Sequence, residues 1–186
     1  MTLPTPSQTV GPFFHIGLPG DGGEQLVPPG DPHAIQVLGT VFDGEGDPVG
    51  DALIELWQAN REGRYDHPED TRDDIPLEPG FRGFGRCGTD DAGGYGFVTV
   101  KPGPVPHPDR GMQAPHIAVS VFARGLLKRL VTRVYFPDER ERNASDPVLS
   151  TVEPERRAAL VAREEDGALR FDINMQGDDE TPFFDL

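Results

Sequence analysis

Apolar residues in this chain recur at every second position over short stretches, and clusters of glycine, proline and aspartate separate these stretches from each other. In residues 37–42, Val37 and Val41 fall on one face and Leu38, Thr40 and Phe42 on the other; in 52–59, Leu53 and Trp57 oppose Ile54 and Leu56. Side chains alternate across a strand, so both stretches read as strands, apolar on both faces and suited to the middle of a sandwich. The segment 43–50 between them predicts the turn of a hairpin, because its glycines accept positive φ and Pro48 cannot donate to a ladder. Residues 95–100, 116–123, 130–136 and 169–175 alternate likewise, with 116–123 and 130–136 predicted to pair, and 80–89 has room for a short strand. The clearest strand is 116–123: Ile117, Val119 and Val121 share one face, and His116, Ala118, Ser120 and Phe122 the other. Residues 101–115 hold five prolines and no period, which predicts a rigid excursion over the surface. Residues 154–164 predict the one helix, with Pro154 at its start, Glu155 in the first turn and a helix-favouring run behind them. The arm 7–17 carries Phe13, Phe14 and Ile16, an apolar load that predicts attachment to its own domain or to a partner. About eight strands, long loops and one short helix in the C-terminal half make this a mainly β chain, a β-sandwich.

The chain has 186 residues and no linker long enough to divide it, so it reads as one domain. Residues 1–33 form its N-terminal arm and loop, and 34–186 its sandwich core. Lys and Arg number 17 against 32 Asp and Glu, a net charge of −15 that disfavours nucleic acid and anionic membranes as partners. An anionic substrate would then need a local arginine to overrule the global field. Cys87 is the one cysteine, which excludes an internal disulfide and reads as a small structural thiol. The N-terminus has neither the basic start nor the apolar run of a signal peptide, and 18 consecutive apolar residues occur nowhere. The expectation is a cytoplasmic chain.

Simple motifs yield little chemistry. The segment 43–50 lacks the lysine and following helix of a phosphate loop. The acidic stretch 66–74 lacks the ligand spacing of an EF-hand. Tyr65, at the end of a loop, and His116, at the start of a strand, each read alone as a packing residue and a satisfied polar group. Their surroundings say more. The stretches Gly39-Thr-Val-Phe-Asp-Gly-Glu-Gly-Asp-Pro-Val49, Ile54-Glu-Leu-Trp-Gln-Ala-Asn60, Gly63-Arg-Tyr65, Lys101-Pro-Gly-Pro104 and Pro115-His-Ile117 resemble the intradiol ring-cleaving dioxygenases. Pro6-Ser-Gln-Thr-Val-Gly-Pro12, Phe122-Ala-Arg-Gly125, Arg170-Phe-Asp-Ile173 and the ending Phe183-Phe-Asp185 look like the alpha chains of two-chain members of that family.

The resemblance implies an intradiol-dioxygenase-type β-sandwich in which two tyrosinates and two histidines hold a non-haem ferric ion; phenolate oxygens suit that hard cation. Carried over by position, Tyr65 matches the first tyrosine ligand and His116 the first histidine. Val105 stands where the second tyrosine belongs, Ala118 where the second histidine belongs, and Gln113 where an arginine is expected. Valine and alanine have no lone pairs to offer, so Tyr65, Val105, His116 and Ala118 read as vestigial metal positions in a chain that is metal-free on its own. Such a loss implies the alpha subunit of an obligate alpha–beta complex whose beta chain binds Fe(III). The implied substrates are protocatechuate and O2, opened to 3-carboxy-cis,cis-muconate in aromatic catabolism by the beta-ketoadipate route. Thr9, Gly11 and Pro12 match positions that wall the beta chain's pocket, and Arg124 matches an arginine near the substrate carboxylate. The alternatives are a purely structural partner subunit, a stand-alone β-sandwich binding module, or an iron enzyme recruiting His107 beside the gap at Val105.

Overall fold

The structure is a computed structural model that describes residues 6–11 and 13–185, without the side chains of residues 15 and 16. Its strands, in chain order, are β1 (Ala34–Phe42), β2 (Leu53–Trp57), β3 (Phe84–Gly88), β4 (Gly94–Val100), β5 (Val105–His107) and β6 (Gly111–Gln113). They continue as β7 (His116–Phe122), β8 (Leu130–Tyr135), β9 (Arg163–Glu165), β10 (Ala168–Arg170) and β11 (Ile173–Asn174). One sheet is built around β1, which pairs with β4 on one edge and with β10 and β11 in succession on the other; β9 lies outside β10. The second sheet runs β3-β2-β7-β8, antiparallel throughout. Val37, Val41, Phe97 and Ile173 of the first sheet pack with Ile54, Leu56, Ile117, Val119, Val121 and Val134 of the second in one buried cluster. This is the mainly β sandwich that the alternating pattern predicts. Among the described residues, no helix is long and apolar enough to cross a membrane.

Three local readings need correction. First, the segments around Val37 and Leu53 do not form a hairpin: β1 and β2 lie in different sheets. The turn itself closes, because Asp43 Oδ1 accepts the N–H groups of Glu45 and Asp47 at 2.9 and 3.0 Å. Its ladder lasts only as far as the Val49 N–H to Val41 carbonyl bond (2.9 Å). The chain then crosses to the other sheet, where Thr89 Oγ1 accepts the Ala52 N–H at 2.9 Å and fixes the start of β2 beside the end of β3.

Second, residues 154–164 do not form an α-helix. Pro154–Leu160 is a 3-10 helix in which Leu160 alone is buried, so there is no apolar face to dock. Beyond it, the Tyr135 carbonyl takes the Ala162 N–H at 2.9 Å and draws the chain into β9. Among the described residues the α-helices are two short ones, α1 (Phe14–Gly17) and α2 (Arg140–Ser145). Third, the proline-rich excursion contains the small hairpin β5–β6. The arm is held to its own domain at Thr9, while its Phe13 is 77% exposed in the single chain. Pro12 and the Ile16 side chain fall outside the described residues.

The predicted strand 169–175 is present but interrupted. β10 and β11 keep one register along β1, Val37 facing Leu169 and Val41 facing Ile173. At the break, Asp172 Oδ1 takes the Thr40 N–H at 3.0 Å in place of a main-chain acceptor. The Phe171 carbonyl turns instead to the Tyr95 hydroxyl, which donates to it at 2.5 Å from a fully buried position. Gly39 makes that reach possible. It pairs with Tyr95 across the ladder, and a Cβ at 39 would stand 1.9 Å from the Phe171 oxygen and 2.7 Å from the Tyr95 ring. Gly39→Ala is therefore expected to destabilise by about 3 kcal/mol or more through overpacking. Tyr95→Phe, which only strands the Phe171 carbonyl, should cost about 1–2 kcal/mol. Urea unfolding of both variants checks the order, and equal costs would contradict it.

Candidate functional site

The loop after β2 is built to present Tyr65. Asn60, itself buried, accepts the N–H groups of Glu62 and Arg64 on Oδ1 at 3.1 and 2.9 Å, and its own N–H donates to the Arg64 carbonyl at 2.8 Å. Gly63 turns the chain at φ 85°, where a Cβ would also meet the Pro104 carbonyl at 2.1 Å. The far side is clamped by Asp70, whose Oδ2 takes the Tyr65 N–H at 2.8 Å while its Oδ1 takes Arg72 Nε at 2.8 Å. The Arg72 hydrogen bond holds the Asp70 carboxyl far below the usual carboxylate range. The Tyr65 ring lies parallel to Trp57, centroids 5.6 Å apart and planes at 8°. Together with His67, Arg72, Val105 and Pro106 they line a cavity of about 490 Å³. Burial raises the Tyr65 phenol, against the opposing charges of Arg133 and Arg72.

His116 opens β7 on the sheet face turned away from the core, the face it shares with Ala118. Its Nδ1 lies 2.8 Å from the Ala114 carbonyl and must carry the ring proton there, since a carbonyl oxygen only accepts. The structure thus brings Tyr65 and Val105 to one cavity and His116 and Ala118 to one strand face. The donor set does not fit a ferric ion. Val105 is buried hydrocarbon, and Ala118 stands in register between Trp57 of β2 and Arg133 of β8. His107 is committed to its own hairpin turn, where Nδ1 accepts the Asp109 N–H at 3.1 Å. Among the described residues, no group of three or more His, Cys, Asp and Glu is placed to hold a metal ion.

The residues matched to a partner's pocket gather elsewhere. Thr9 Oγ1 accepts the Gly125 N–H at 2.9 Å, which seats the arm on the turn that carries Arg124. Gly11 is exposed on the same arm, and its carbonyl takes the Phe14 N–H at 3.1 Å. The Arg124 side chain is 65% exposed and forms an ion pair with Asp51. This turn follows the C-terminal end of β7, whereas His116 begins it; the 7 residues of that strand span about 20 Å. Sequence reasoning missed Arg133, Asp51 and the Asp70–Arg72 clamp. Arg133 could have been found as a lone cation in the apolar run Leu130–Tyr135, whose predicted pairing with 116–123 sets it opposite Ala118.

Burial, then the charge of Arg133, lowers the His116 imidazole to about 4. In the unfolded chain a histidine takes its proton near pH 6.5, so stability is complete above that value and falls as pH drops from about 6.5 toward 4. The loss should reach about 3 kcal/mol at pH 4. Denaturant unfolding across this range checks it, with His116→Gln expected to flatten the profile.

Comparison with known proteins agrees with this geometry. The sequence profile of the family described as Dioxygenase matches residues 10–177. The chain is 44% identical to the protocatechuate 3,4-dioxygenase alpha chain of Burkholderia cepacia over 98% of its own length and 97% of that relative's. It is also 44% identical to the alpha chain from Pseudomonas putida, covering 98% of this chain and 96% of that one. The beta chain of Burkholderia cepacia is 40% identical, over 95% of this chain and 77% of the relative. Among solved structures, the dioxygenase domain of a carbohydrate-binding fusion protein from Streptomyces sp. SirexAA-E superposes with a TM-score of 0.61 at 29% identity, covering 94% of this chain and 99% of that one. A profile matched over most of the sequence, on a sandwich that keeps the Tyr65 loop and the His116 strand, places this chain in the intradiol dioxygenase family, whose members work with non-haem iron.

Proposed function

We propose that this chain is the alpha subunit of a protocatechuate 3,4-dioxygenase, a non-ligating member of an alpha–beta pair whose beta chain binds the ferric ion. Ring opening of protocatechuate by O2 then takes place in the beta chain's site, and this chain supplies a segment of its wall. Alpha and beta chains both stand among its relatives, as such a complex requires. The observation that carries the reading is the hydrogen bond between Thr9 and Gly125. It holds the arm and the Arg124 turn together as one exposed surface, at the end of β7 opposite this chain's own vestigial positions.

The chemistry of that surface suits an aromatic acid. A guanidinium can take a carboxylate in two parallel hydrogen bonds, and in a pocket emptied of water it outweighs a distant negative field. Phe13 on the arm and Leu127, three residues past Arg124, are 77% and 62% exposed and offer apolar area for the beta chain to cover. Residues 34–186 form the sandwich in this reading, and residues 1–33 the arm and loop. A cytoplasmic setting accords with the lone Cys87, whose thiol burial pushes up to about 11.

A second reading, a purely structural subunit, draws on the ion pair between Arg124 and Asp51, since an arginine occupied within its own chain need not touch substrate. Arg124→Ala in the assembled complex separates the two. The pocket-wall role predicts a KM for protocatechuate raised about tenfold with assembly intact on gel filtration. Altered assembly with KM unchanged would favour the structural role. The site chemistry gives a further expectation: expressed alone, the chain is colourless and free of iron, and the tyrosinate-to-iron absorption arises only on co-expression with a beta chain. A coloured, iron-loaded chain by itself would refute the assignment of iron to the partner.

A further inference from the structure

The vestigial site is closed by a cation that the chain itself supplies. Ala118 on β7 sits between Trp57 and Arg133 in register, so all three side chains share the outer face of the second sheet. A methyl group at 118 leaves the adjacent space to the arginine. Arg133 Nη1 donates to Gln113 Oε1 at 2.8 Å, and Gln113 lies opposite Val105 in the β5–β6 ladder. The guanidinium charge is also felt at the Tyr135 hydroxyl, and it lies 6.0 Å from the Phe184 ring centre. Tyr135, on the rung of His116, donates onward to Asp146 Oδ1 at 3.0 Å. Asp146 is wholly buried, its carboxylate also accepting the N–H groups of Ala114, Val148 and Leu149 at 2.7, 2.8 and 2.7 Å. Arg133 is therefore held at Gln113 beside a tyrosine that is bonded onward to a fixed negative charge, and its own charge is felt at Tyr65 and His116 as well.

We infer that Arg133 replaces the metal ion as an internal cation, bridging the remnants of the site and excluding a metal even where the lost donors are restored. This rests on the reading of the chain as non-ligating, and adds that exclusion is active rather than a matter of missing ligands alone. The physical basis is plain. A guanidinium cannot shed its proton to make way, and a highly charged cation brought beside it meets repulsion in a poorly screened site.

The experiment restores the donors in the full-length chain with Val105→Tyr and Ala118→His, with Arg133 kept or changed to Met or Lys. Ferric binding is followed by tyrosinate absorption and metal analysis, and folding by circular dichroism. The Met version is expected to bind Fe(III) at least about 100-fold more tightly than the Arg version, with the Lys version, whose ammonium can give up its proton, between them. Equal affinity with Arg133 kept, or no binding by a folded Met version, would overturn the inference. Should the donor variants not fold, Arg133→Met in the otherwise unaltered chain decides. Its Tm should fall by about 5 °C or more, and Tyr135→Phe should cost less in that background than alone. An unchanged Tm, or additive losses, overturns it too. Failure of the underlying reading shows differently, as iron bound by the unaltered chain.

Discussion

Alternation along β7 is the constraint on which the rest of the molecule depends. Ile117, Val119 and Val121 must face the other sheet to close the core, which commits His116, Ala118, Ser120 and Phe122 to the opposite face. A shift of one residue would exchange the two sets, so the register that makes the fold also places His116 and Ala118 on the outer face. The same strand separates two regions of the molecule. Its first residues carry His116 and Ala118, and just past its last lies the Arg124 turn, to which the arm is hydrogen-bonded. A change at one end of the strand is thus kept about 20 Å from the other.

Electrostatics divides along the same line. The chain carries a net charge of −15, yet its cations are posted individually. Arg72 is held by Asp70 and the Gly63 carbonyl beneath the Tyr65 loop, Arg133 by Gln113, and Arg124 by Asp51 on an exposed turn. The first two are hydrogen-bonded inside the chain and act on neighbouring groups through charge. Arg124 differs in being largely open to solvent, so exchanging Asp51 for a carboxylate from outside demands little reorganisation. Arg124 is accordingly the arginine of the three suited to an external anion.

Much of this was legible in the sequence because it follows from periodicity. The faces of 116–123 and its pairing with 130–136 need only a period of two, whereas Val105 and Ala118 stood out only through the family resemblance. What failed was long-range. The segment 43–50 does turn, but which strand β1 keeps as its neighbour depends on β4, β10 and β11, which come much later in the chain. Residues 154–160 have helical propensity and a proline at the start, yet a helix needs an apolar face to bury, and Leu160 alone does not make one. Arg133 escaped notice because a single charge in a strand carries no motif; its meaning comes from the residue across the ladder.

The Tyr65 loop is held by contacts of its own. Asn60 closes the loop from within, Asp70 and Arg72 close it from below, and the Gly63 turn lets it settle on Pro104. None of these contacts involves a metal. Tyr65 meanwhile stacks on Trp57, and Trp57 sits in the β2–β3–β7 ladder that builds the second sheet. Removing the tyrosine would open the cavity wall and bare the Trp57 ring, a packing cost independent of any ligand role. Val105 and Ala118 stand apart from such a scaffold: Val105 is buried hydrocarbon, and Ala118 leaves the space across the ladder to Arg133. Tyr65 and His116, by contrast, are fixed by stacking and by a buried hydrogen bond to the Ala114 carbonyl, contacts that hold them in place whatever role the site has.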